Sequence, residues 1–228
     1  VAVFTELLAM MMKQAHRGLR RKLAETTYLI DATSARLNER SAGWARFSAG
    51  VCGAKVHVIY DADADRPIYA AVTAAKVNDI TMATQMPIEP GATYVFDLGY
   101  YDYAWWAELD AVGCRIVTRF KSNTPLDLIK ELSVATGSNI LSDRIGFLPA
   151  RQARSRRNPM QDAVREVRVA TESGTVLRIL SNDLDASAEE IADLYRRRWA
   201  IELFFRWVKQ TLKITRFVGT SENAVRIQ

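Results

Sequence analysis

The chain has 228 residues, 49% of them hydrophobic and 25% charged, with 31 Lys and Arg against 26 Asp and Glu for a net charge of +5. That composition excludes a disordered chain and allows one sizeable core, or a core with one inserted subdomain. The 2 cysteines, Cys52 and Cys114, lie far apart with no CxxC, and the 2 histidines, His16 and His57, are too few for a His-rich metal site or a histidine triad, so carboxylates must carry any chemistry.

The opening stretch VAVFTELLAMMM is too short to span a bilayer and lacks a signal-peptide pattern. It reads as the end of a helix cut into by the chain start, part of a basic amphipathic helix over residues 1–25 of a fragment with no membrane partner, and the two isolated cysteines fit a reducing, cytoplasmic compartment. Next, TTYLIDAT has the β-branched and aromatic character of a buried strand that ends at Asp31, and residues 32 to 53 read as a long connection. Two strands, AKVHVIYD and PIYAAVTAA, flank the turn ADADR. The DADAD run at 61–65 imitates half of a calcium loop, but Arg66 stands where the tight-turn Gly is needed, so a hairpin turn is the better reading. A short helix from Asp79 to Met86 precedes Pro87. ATYVFDLGYYDY then predicts a strand with Asp97 at its end, YAWWAELDAVG a helix stopped by Gly113, and CRIVTRF a further strand. Trp105 and Trp106 are core residues on this reading.

The segment 121–185 changes character, with scattered Ser, Asn, Gly and Pro, an Arg cluster at 151–157, and alternating runs such as VREVRVA and TVLRILS. It predicts a β-rich insertion between a first core part, 1–120, and a remainder, 186–228. The last long segment, SAEEIADLYRRRWAIELFFRWVKQTL, predicts one helical stretch opened by Ser187 and Glu190 at capping-box spacing. On it Tyr195, Arg198, Glu202 and Lys209 share a stripe at 3.6-residue periodicity, while Leu194, Ile201, Phe205 and Val208 form an adjacent apolar stripe. The bland reading of Arg198 and Glu202 is an i,i+4 ion pair worth a few tenths of a kcal/mol, about 0.2–0.5. Strand-end aspartates capping a following turn are the corresponding reading for Asp31 and Asp97.

A chemical reading follows if the strands of Asp31 and Asp97 are parallel neighbours and the late helix brings Glu202 to them. Three convergent carboxylates repel one another, which makes poor packing but suits hard divalent cations. Two such ions about 4 Å apart serve phosphodiester cleavage.

At this point the spacing Tyr195-x2-Arg198-x3-Glu202-x6-Lys209 resembles the YREK signature of insertion-sequence-4-type (IS4 family) bacterial DDE transposases. LIDAT and FDLGYYDY resemble that family's two aspartate motifs, and GTSENAVRIQ resembles its sequence after the signature. The resemblance implies an α/β fold: a ribonuclease-H-like core, with a mixed five-stranded sheet flanked by helices, interrupted by a β-rich insertion. It implies that Asp31, Asp97 and Glu202 are catalytic ligands of two Mg²⁺ or Mn²⁺ ions, and that Tyr195, Arg198 and Lys209 contact DNA phosphates. Double-stranded DNA, as transposon ends and target, becomes the partner, with a homodimer when DNA is bound. Lys55 and the insertion residues Arg154, Arg156 and Arg157 are further DNA-contact candidates, against the blander readings of a strand-edge Lys and a solvated loop. Leu98 departs from the family, which commonly has a basic or polar residue there. The function implied is metal-dependent cleavage and strand transfer by a truncated copy; a non-catalytic DNA-binding remnant and a ribonuclease-H-like nuclease are the rivals.

Overall fold

The computed structural model describes residues 26–153, 156–211 and 219–227. The helix expected over residues 1–25, and Arg154, lie outside these. In chain order the strands are β1 (Thr27–Leu37), β2 (Arg46–Ser48), β3 (Val51–Asp61), β4 (Arg66–Ala74), β5 (Thr93–Phe96), β6 (Arg115–Arg119), β7 (Asp127–Leu132), β8 (Ile140–Phe147), β9 (Arg151–Ala153), β10 (Arg156–Arg157), β11 (Val164–Ala170) and β12 (Val176–Ser181). The helices are α1 (Ala42–Ala45), α2 (Asp79–Ala83), α3 (Tyr103–Ala111), α4 (Ala188–Arg197), α5 (Trp199–Gln210) and α6 (Glu222–Ile227). The fold is mixed α/β, as the sequence predicts. Among the described residues, no helix is long and apolar enough to cross a membrane.

The chain divides into two compact units, one of Leu29–Pro87 with Arg198–Gln228, the other of Ile88–Arg197 with the residues up to Tyr28. These limits differ from the expected division at residues 120 and 185.

In the first unit, β3 pairs antiparallel with β2 and, over most of its length, with β4. The turn joining β3 to β4 is the expected hairpin: Asp61 Oδ1 accepts the amides of Asp63 and Ala64 at 3.0 and 2.9 Å. Leu37, Ala45, Cys52, Ala54 and Val225 form a buried cluster, which Trp44 and Val72 flank. The same cluster therefore seats α1 and α6 on the strands, and Trp44 Nε1 fixes the approach to α6 by donating to Thr220 O at 3.0 Å. The strand predicted to end at Asp31 instead continues to Leu37, so Asp31 stands within β1. Of the small and polar residues that follow, Ala32, Thr33 and Ala35 are only partly buried and Ser34 is exposed, so they carry no alternating apolar signal although their backbone stays extended.

In the second unit, β5 and β6 are parallel, with Val95 opposite Val117. β12 pairs antiparallel with β6, β11 with β12 and β8, and β7 with β8. Thus the strands of 121–185 extend the sheet that contains β6, while β9 and β10 form a small ribbon of their own. An aromatic cluster packs α3 against this sheet: Trp106 is 0% exposed, and the Phe96 and Trp105 ring centroids lie 4.9 Å apart. Asp102 caps α3 by accepting from the amides of Ala104 and Trp105, and Gly113, at φ 78°, turns the chain out of it. Ser187 Oγ accepts the Glu190 amide at 3.0 Å, the expected start of α4. Two buried polar contacts lock the unit. Asn182 receives the Ile116 amide and donates to Asp110 and Cys114 O. Arg165 clamps Asp143 through both oxygens, at 2.7 and 2.5 Å.

The expected single helix after Ser187 is interrupted at Arg198, where α4 ends and α5 begins. Arg198 itself keeps helical angles, φ −52° and ψ −27°. The Ile201 amide donates to Arg198 O, a three-residue bond that tightens the turn. No Gly or Pro marks this break, so helical periodicity reads straight through it.

Candidate active site

The first unit answers why an apolar helix carries Glu202. On α5, Ile201 and Phe205 are buried at 0% and 7% exposure, and Glu202 sits at the edge of that face. Its carboxylate accepts from Arg198 Nη2 at 2.5 Å. The same guanidinium reaches β1, where Nη1 donates to Asp31 Oδ2 at 3.2 Å. Asp31 Oδ1 accepts the amide of Ala32 at 2.7 Å, which fixes the carboxylate's orientation on the strand. Two carboxylates 171 positions apart, from residue 31 to residue 202, therefore share one cation.

Beside this trio lies a cavity of about 390 Å³, lined by Asp31, Thr33, Glu202, Phe205, Arg206 and Lys209, among others. It pairs the two acidic groups with two basic ones, which is the charge pattern needed to hold a phosphate near a cation. Lys209 thus faces the place its spacing predicts. Arg206 was not singled out by the sequence, although its i,i+4 relation to Glu202 puts it on the same helix face and could have signalled it.

Other predicted site residues are placed differently. Asp97 belongs to the second unit, where it follows β5 and its Oδ1 caps the next turn by accepting the Gly99 amide at 2.8 Å. The capping reading is therefore realised there, and it leaves Oδ2 without a hydrogen-bonding partner among the described residues. Tyr195 is also in the second unit, 8% exposed, on the face of α4 that buries Ile191 and Leu194. The polar stripe predicted for one continuous helix therefore starts at Arg198 in the first unit. Among the described residues, no group of three His, Cys, Asp or Glu comes together that could hold a metal ion. Asp31 and Glu202 nevertheless offer the oxygen donors a hard divalent cation takes, and they already converge on a positive charge.

Lys55 does not present its ammonium to a ligand. It donates to Asp79 at 2.8 Å and to Val77 O at 2.9 Å. Beside it His57 is fully buried, with Nε2 on Thr73 Oγ1 at 2.9 Å, and burial lowers its pKa against the opposing charge of Asp79. In the Arg cluster, Arg156 is exposed and paired with Asp102 at 2.8 Å, and Arg157 is exposed on β10. Trp105 and Trp106 are core residues, the latter donating its indole N–H to Tyr100 O at 3.0 Å.

Asp31 on β1, Asp97 directly after β5 and Glu202 on α5 stand in the chain order the resemblance implies, and residues 22–228 match the family described as Transposase DDE domain. The chain belongs to that family. It is 38% identical over 230 residues to a Sinorhizobium fredii (strain NBRC 101917 / NGR234) protein named as transposase y4zB, covering 100% of this chain and 64% of the relative. It is 30% identical over 227 residues to a Geobacillus stearothermophilus protein named as the transposase for insertion sequence element IS5377, covering 98% of this chain and 59% of the relative. The chain therefore spans less than two thirds of the length of either. A cryo-EM structure of the piggyBac transposase synaptic complex with hairpin DNA is similar with a TM-score of 0.48 and 9% identity, over 80% of this chain and 40% of that one.

Proposed function

We propose that this chain is the catalytic region of an insertion-sequence transposase of the insertion-sequence-4 type, cutting a DNA strand and joining the freed end to target DNA. The observation that carries the reading is the convergence of Asp31 and Glu202 on Arg198 beside a cavity lined by Arg206 and Lys209, in a chain of the DDE family. On this reading the core is ribonuclease-H-like, and Asp97 completes the carboxylate set; its support is its place directly after β5, with one carboxylate oxygen that has no hydrogen-bonding partner among the described residues. Asp31, Asp97 and Glu202 would hold two Mg²⁺ or Mn²⁺ ions. When bound, such ions activate the attacking oxygen and stabilise the leaving one.

The chain's own groups do the positioning. Lys209 and Arg206 hold backbone phosphates at the cavity, and Arg198 leaves one of its carboxylates to clamp the scissile phosphate. Water attacks the phosphorus, the P–O3′ bond breaks, and the 3′ oxygen leaves as a hydroxyl. That hydroxyl then attacks a phosphorus of target DNA and displaces a second 3′ oxygen. The partner is double-stranded DNA, engaged by a homodimer in the cytoplasm.

The test is calorimetric titration of Mn²⁺ into wild type and Asp97→Ala, each with and without a duplex. Saturable binding by wild type that the substitution weakens is the expected result. Equal binding by both proteins refutes the place given to Asp97, and no binding in either condition refutes the metal site.

A further inference from the structure

A second basic site lies on the sheet of the second unit. Residue register puts four charged side chains on one face. Glu166 and Arg168 are two apart on β11, so they point the same way; Arg144 on β8 stands opposite Glu166, and Arg178 on β12 stands opposite Arg168. Arg165, Val167 and Val169 take the other face, where Arg165 is spent on buried Asp143.

Two like charges directly opposite, Arg168 and Arg178, destabilise a sheet unless something holds them. Glu166 does so: its Oε1 accepts from Arg168 Nε at 2.8 Å and from Arg178 Nε at 2.5 Å. Burial pushes the Glu166 carboxyl up, but the two guanidiniums outweigh it and hold it below the usual carboxylate range. Arg178 Nη1 is spent on the carbonyls of Lys121, Ser122 and Thr124. Arg144 is anchored by Nε alone, on Glu131 at 3.0 Å.

Each guanidinium is thus fixed through its inner nitrogen. The terminal nitrogens of Arg144 and Arg168, and Nη2 of Arg178, have no hydrogen-bonding partner among the described residues. All three arginines line a cavity of about 360 Å³ together with Ser122, Asn123 and Thr124. Arginines held by Nε with their outer donors open are prepared for a tetrahedral oxyanion, since little rotamer entropy remains to be lost. A network serving only to neutralise Glu166 needs no Arg144, whose partner Glu131 is 55% exposed.

We propose that the face formed by Arg144, Arg168 and Arg178 is a phosphate-binding site, apart from the carboxylate site, that grips the backbone of double-stranded DNA. This rests on the DNA-binding reading above. Its neutral partners Ser122, Asn123 and Thr124 suit the uncharged part of a phosphodiester, and no group in the cavity demands a base.

The test is fluorescence anisotropy of a labelled duplex of arbitrary sequence, over a range of salt, with wild type, Arg144→Gln, Arg168→Gln and the charge-matched control Arg226→Gln. Arg144 and Arg168 are 32% and 36% exposed, so both substitutions leave the core in place. Arg144→Gln and Arg168→Gln are each expected to weaken binding roughly three- to tenfold and to reduce the salt slope by about 0.9, beyond any change in the control. Affinity and slope equal to the control overturn the inference while leaving the DNA reading intact, as does a loss that follows the thermal melting point of the variant. Wild type that does not bind duplex overturns both. A calorimetric response to inorganic phosphate that both substitutions abolish, with duplex binding unchanged, overturns the backbone as the ligand and points to a free phosphate instead.

Discussion

Glu202→Gln separates a metal-holding carboxylate from a merely structural one. Glutamine keeps Oε1 and so can still accept from Arg198 Nη2; what is lost is the charge. The side chains of the pair are 17% and 30% exposed, between the range of exposed pairs, about 0.2–1 kcal/mol, and that of broken buried pairs, about 3–5. Arg198 also keeps Asp31 as a partner, so no cation is orphaned, and a cost of about 1 kcal/mol is expected. For a chain of this size that shifts the melting temperature by about 2–4 °C, so the variant remains folded. Removing one negative charge beside a phosphate leaves duplex affinity equal or higher. Loss of an oxygen ligand should lower metal-dependent cleavage on the order of 100-fold or more. Nicking of supercoiled plasmid in Mn²⁺, run beside duplex anisotropy and a urea melt, reads all three quantities. Full cleavage by the variant refutes the ligand assignment; a parallel loss of duplex binding shows that Glu202 acts by placing DNA.

Arg198→Ala removes the cation shared by Asp31 and Glu202, so calorimetry without DNA should find tighter Mn²⁺ binding than in wild type, and anisotropy a weaker hold on duplex. Asp143→Ala strands Arg165 in the core of the second unit and should cost about 3–5 kcal/mol in urea unfolding, because a buried charge is left without its partner. His57 supplies a pH dependence: burial lowers its folded pKa below the ordinary 6.5, outweighing Asp79, so the unfolded chain binds more protons as pH falls. Stability is therefore full above pH 6.5 and declines as pH drops through it toward the folded value. Urea midpoints between about pH 8 and 5.5 should show this decline, and His57→Gln should flatten it.

Local chemistry wrote much of the chain legibly. Gly113 ends α3, Ser187 opens α4, the Asp61 turn joins β3 to β4, and the runs VREVRVA and TVLRILS pair as β11 and β12. Each depends on residues within one turn or one strand, where spacing and rotamer preference act directly. The family motifs around Asp31, Asp97 and Glu202 were legible for the same reason, as stretches of a few residues each.

Tertiary structure decided what those motifs touch. β1 runs past Asp31 to Leu37 although its second half carries no apolar alternation, and the helix breaks at Arg198 without Gly or Pro to announce it. The Arg198 contact with Asp31 spans 167 positions, and the anchoring of Arg168 and Arg178 on Glu166 depends on the register of β11 with β12. Such contacts leave no local periodicity. A residue's own segment sets its backbone, but which charge meets which is fixed only when distant strands and helices pack.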